Sequence, residues 1–161
     1  MHHSFPAFLT SALLGLACSV SLVSCGSSEK PPLAVRQLHL DSEKVVDDNA
    51  EMVRGEQLYR LQGAVTTEER MSRLGHYYTV YWNDLGSDVR DAKVVFDYQQ
   101  ATSASKTITR SVTIPDGQSS GSVEFKIIGE AYQQGGRVLA WRARLIRGGK
   151  VVAVKRSYLW R

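Results

Sequence analysis

The chain has 161 residues, a formal net charge of +4 and two cysteines, Cys18 and Cys25. That length suits one domain with a proper core, and cysteines confined to the first 25 positions exclude a disulfide framework or a thiolate metal site in the body of the chain. The basic excess is that of an ordinary solvated surface, compatible with anionic headgroups or wall polymers, and is no argument for nucleic acid.

From Phe5 to Val23 there is no charged residue, and the run is rich in Leu, Ala, Val and Ser. Such a run is either a signal-peptide core or a membrane-spanning helix. Its ending, Leu22-Val23-Ser24-Cys25 followed by Gly26-Ser27-Ser28, separates the two, because it resembles the lipobox of bacterial lipoproteins. The resemblance implies that residues 1–24 are a cleaved signal, that Cys25 carries diacylglycerol, and that its new amino group is acylated. Two or more acyl chains make a stable anchor where one is marginal. It also implies a place in the cell envelope, with Gly26 rather than Asp after the cysteine pointing to the outer membrane, facing the periplasm. Cys18 has Gly15 at its −3 position and fits the pattern less well.

Charge is unevenly spread. From Ala131 to the end there is no Asp or Glu, yet Arg137, Arg142, Arg144, Arg147, Lys150, Lys155, Arg156 and Arg161 fall there, while Asp41, Glu43, Asp47, Asp48 and Glu51 cluster near the other end.

In chain order, residues 26–33 read as a tether, small and polar and then stiffened by Pro31-Pro32, reaching about 25 Å when extended. Ala34–Leu40 alternates as a first strand. Asp48 with Glu51 resembles a helix start, but Gly55 interrupts and no apolar stripe follows, so the pattern predicts a loop or short helical turn and then a strand from about Gln57 to Gly63. Thr66–Leu74 reads as another helical turn, with Gly75 past its end.

Beyond Gly75 the period becomes two. Tyr78, Val80 and Trp82 share one face of a strand over His76–Trp82, with Tyr77, Thr79 and Tyr81 on the less buried one. After a polar loop from Asn83 to Asp91, strands follow over Lys93–Gln99, Thr107–Ile114 and Val123–Ile127, with Pro115-Asp116-Gly117 as a turn. Gly148-Gly149 fits a two-residue hairpin loop. That loop predicts the pairs Arg147/Lys150, Leu145/Val152, Ala143/Val154, Trp141/Arg156 and Leu139/Tyr158, with Ile146/Val151, Arg144/Ala153 and Arg142/Lys155 between them.

Three groupings invite a functional reading. Arg142 opposite Lys155, with Arg144 beside them, is a like-charge cluster that suits a phosphate, a glycan acid or an acidic partner. Equally, a neighbouring strand supplies Glu124 or Asp97, or the heads splay into water. Trp141 across from Arg156 suggests a guanidinium on an indole, a structural contact. Tyr77 and Tyr81 form a stripe that can stack on sugars or peptides, or simply pack. Past the signal only His39 and His76 remain as histidines, with no zinc spacing, and the nucleophile-elbow, phosphate-loop and dinucleotide motifs are absent.

These readings predict an all-β, immunoglobulin-like antiparallel β-sandwich of seven or eight strands over residues 34–161, behind a signal over 1–24 and a lipidated cysteine with its tether over 25–33. The expected role is a non-catalytic binding or assembly module, held to the membrane by its N-terminal lipid, with an envelope protein as partner. The alternative is a carbohydrate or cell-wall binder using Tyr77, Tyr81, Arg142, Arg144 and Lys155. Neither role requires a cofactor, a metal or nucleic acid.

Overall fold

The computed structural model describes residues 31–41, 51–83, 91–103 and 106–161. The lipobox and Cys25 lie outside the described residues, as do Ser42–Ala50 and most of the loop before β3. Seven strands form two antiparallel sheets: β1 (Leu33–Leu40), β2 (Gly75–Asn83) and β5 (Ser120–Ile128) in one, and β4 (Ile108–Thr113), β3 (Ala92–Gln100), β6 (Val138–Arg147) and β7 (Lys150–Arg156), in that spatial order, in the other. The expected β-sandwich is therefore the observed architecture. Its order is that of a constant-type immunoglobulin sandwich with the fourth strand moved across to pair with the third.

Alternation builds the core as the sequence requires. Tyr78, Val80 and Trp82 of β2, with Phe125 and Ile127 of β5, meet Val94, Phe96 and Tyr98 of β3 and Ala143 and Leu145 of β6. Phe96 stacks on Phe125 with ring centroids 5.0 Å apart and lies 4.8 Å from Tyr78. Trp141 joins this aromatic cluster and donates from Nε1 to the Gln37 side chain at 3.1 Å.

Among the described residues three α-helices decorate the sandwich: α1 (Glu51–Leu61), α2 (Thr67–Arg73) and α3 (Glu130–Gly135). The expectation of a strand near Gln57–Gly63 is corrected, because α1 occupies that stretch. It buries none of its own residues and is held on the first sheet by charge. Glu56 receives Arg36 at 3.0 Å and Arg60 at 2.9 Å, and Arg60 also bonds Glu124. A helix docked through ion pairs needs no apolar stripe, so the periodicity signal is missing. α2 begins with a capping box, Glu69 N donating to Thr66 Oγ1 at 3.1 Å and Thr66 N to Glu69 Oε2 at 3.0 Å.

The last hairpin turns on Gly148 and Gly149, both at positive φ, as a two-residue loop requires. Arg147/Lys150 and Ile146/Val151 pair as expected. A bulge at Val152 then shifts every later pair, giving Leu145/Ala153, Arg144/Val154, Ala143/Lys155 and Arg142/Arg156. The expected Leu145/Val152, Arg142/Lys155 and Trp141/Arg156 pairs are corrected. The shift turns the small Ala153 toward the core, on the side where β1 runs beside β7, and leaves the larger valines outside.

Candidate partner-binding edge

The outer face of the four-stranded sheet carries a closed charge network. Asp97, only 2% exposed, sits between β4 and β6. Its carboxylate accepts Arg142 Nη2 at 2.9 Å, Arg144 Nη2 at 3.3 Å and Thr109 Oγ1 at 2.7 Å. The acid is thus supplied by the neighbouring strand. Lys155 takes no part, since its pairing with Ala143 places it on the opposite side of the strand from Arg142 and Arg144. The guanidinium–indole contact also falls elsewhere, with Arg142 lying 4.8 Å over the Trp160 ring.

Tyr77 and Tyr81 lie on the outer face of the other sheet, so the tyrosines and arginines form no common surface. Tyr77 is buried, against the expectation of the less covered face: Arg60 lies 4.2 Å over its ring and its hydroxyl donates to Arg73 O at 2.7 Å. Burial raises its pKa. Tyr81 is exposed, beside a shallow hollow of about 570 Å³ that it lines with Ala34, Trp82 and Gly121.

His39 and His76, 37 positions apart, are brought together by the β1/β2 register and stack with centroids 4.1 Å apart. Tyr132 of α3 caps them, its hydroxyl 2.9 Å from His39 Nε2. His76 is buried and neither ring nitrogen has a hydrogen-bond partner among the described residues. Burial, then His39 and Arg137, push its pKa down to about 4, against a smaller pull from Asp41. The buried His76 ring thus packs between His39 and Tyr78 rather than facing solvent. Among the described residues no three His, Cys, Asp or Glu side chains form a group able to hold a metal ion.

Exposed apolar and basic side chains come together on β7, the edge strand that pairs with β6 alone. Val151 (51% exposed), Val152 (44%) and Val154 (51%) stand in solvent, with Tyr158 and Leu159 just beyond. Lys150, Lys155 and Arg156 flank them, all exposed. Sequence reasoning missed this site because nothing in a strand's own pattern says that its backbone is paired on one side alone. The chain matches no family model, no curated protein and no solved structure. A sandwich by itself carries no function.

Proposed function

We propose that this chain is a lipid-anchored protein of the bacterial cell envelope whose sandwich is a non-catalytic binding or assembly module, offering the β7 edge to a protein partner. The observation that carries the reading is an open strand edge with three exposed valines beside it. An unpaired row of backbone donors and acceptors is a template for another strand, and contiguous apolar surface beside it favours a protein over water. The address rests on Leu22-Val23-Ser24-Cys25 and the short tether behind it. No helix among the described residues is long and apolar enough to cross a membrane. The wall-binding alternative finds less support, because its tyrosines and arginines stand on opposite outer faces.

The test is a photo-crosslinking residue at Val152 of the anchored chain in intact cells, with Tyr81 as the second position. A discrete protein adduct from Val152 is expected. Wall fragments at Tyr81 with nothing at Val152 would overturn the reading in favour of the alternative. In the same cells Cys25→Ala is expected to abolish acylation and signal removal, read by mass and by lipid labelling; normal maturation would refute the anchor.

A further inference from the structure

Resting on the reading of β7 as a docking edge, we infer that its partner is an extended strand with acidic residues at both ends of an apolar centre, and not a second copy of this chain.

The charge of the edge decides this. β7 reads Lys150-Val-Val-Ala-Val-Lys155-Arg156, with its cations at the two ends and its valines between. None of the three cations has an ion pair or hydrogen bond among the described residues, and from Ala131 onward the chain has no acid to give them. This contrasts with Arg142 and Arg144 one strand away, which Asp97 neutralises. Among the described residues the edge cations have no acid to answer them.

A second copy is a poor occupant. Antiparallel pairing of two β7 strands about Ala153 sets Lys150 opposite Arg156 at both ends, and pairing one step away sets Lys150 opposite Lys155. Parallel pairing in register sets each cation against itself. Like charges directly opposed across strands are unfavourable, and it is this repulsion, absent for an acidic strand, that distinguishes a second copy from the proposed partner. A strand carrying Asp or Glu about 17 Å apart, at roughly 3.3 Å per residue, meets Lys150 at one end and Lys155 with Arg156 at the other. Between them its β-branched residues lie along Val151, Val152 and Val154.

The probes are two hexapeptides of alternating valine and threonine, one with glutamate at both ends and one with lysine, added up to millimolar concentration to the full mature chain. Amide hydrogen exchange within 150–156 is the readout. The glutamate peptide is expected to slow exchange there, at least tenfold more tightly than the lysine peptide and less so as salt rises. A K150E/K155E/R156E variant, altered only at exposed positions and checked for an unchanged melt, is expected to reverse the preference. Equal protection by both peptides would overturn the charge rule and leave the docking edge standing. Protection by neither would overturn both, and a concentration-dependent dimer through β7 would overturn the exclusion of a second copy.

Discussion

Asp97 holds Arg142 through two donors, Nε at 3.1 Å and Nη2 at 2.9 Å, both on Oδ2. The carboxylate is almost fully buried while the guanidinium is about one-third exposed, and the arginine's outer side lies against Trp160. Three basic or aromatic side chains thus organise around one acid. Replacing Asp97 with Asn keeps the shape and removes the charge, leaving Arg142 and Arg144 side by side. Breaking a buried pair from one side costs about 3–5 kcal/mol; partial exposure of both arginines reduces that to roughly 2–3 kcal/mol here. Urea midpoints at constant m-value measure it, and a loss below about 0.5 kcal/mol would show that the network is not what holds this face.

His76 gives the stability a pH dependence of known sign. Its pKa is about 4 in the fold and about 6.5 unfolded, so between these values the unfolded chain binds the extra proton. Stability is full above about pH 6.5 and falls as the pH drops toward 4, by on the order of 3 kcal/mol at most. The groups facing the ring are His39, Tyr78 and Tyr132, with Asp41 and Arg137 acting at longer range. Glu124, held below the usual carboxylate range by Arg60 against the opposing effect of burial, contributes only in a lower window, below about pH 4.5. His76→Phe keeps a ring in the stack and is expected to flatten the melting temperature between pH 4.5 and 6.5. An unchanged slope would place the titration elsewhere.

The sandwich was legible where residues alternate against a core. Tyr78-Val80-Trp82 and Val94-Phe96-Tyr98 can face only one way, and Gly148-Gly149 can make only a tight turn. Lys150–Arg156 was legible only in part. Its valines fall on both parities, so a straight register and a bulged one each find apolar partners, and only the approach of β1 selects Ala153 as the inward residue. Asp97 was one of two acids able to answer Arg142 and Arg144; choosing it over Glu124 needs the knowledge that β3 lies beside β6. α1 hides its docking in two ion-pair partners distant in sequence, Arg36 and Glu124. α3 is a six-residue turn between Gly129 and Gly136, both at positive φ, too short to leave a periodic trace.

Arg60 is the residue on which the α1 attachment converges. It bonds Glu56 and Glu124 and covers the Tyr77 ring. Arg60→Ala is expected to cost about 1–2 kcal/mol, as a partly buried pair and a cation–π contact are lost together. It should also speed amide exchange across residues 51–61 while leaving β3 and β6 protected. Slow exchange in α1 after the substitution would mean that Arg36–Glu56 alone suffices.

The hairpin turn separates backbone strain from crowding. Gly148 has φ +51, and a Cβ built there meets nothing within 4 Å; at Gly75, φ +137, a Cβ would fall 2.3 Å from Ile127 O. Gly148→Val therefore carries only the conformational cost of a β-branched residue at positive φ, about 1–2 kcal/mol. Gly148→Asn is expected to stay within about 0.5 kcal/mol of the parent, because Asn tolerates that region and Asn-Gly suits this turn. Gly75→Ala adds a collision with the β5 backbone to its own unfavourable φ and is expected to cost more than Gly148→Val although its side chain is smaller. Thermal melts of the three variants rank them. If Gly148→Val proved the worst, the turn rather than the β2/β5 contact at Gly75 would be the less forgiving junction, and the hairpin would owe its register to the two glycines more than to the strands they join.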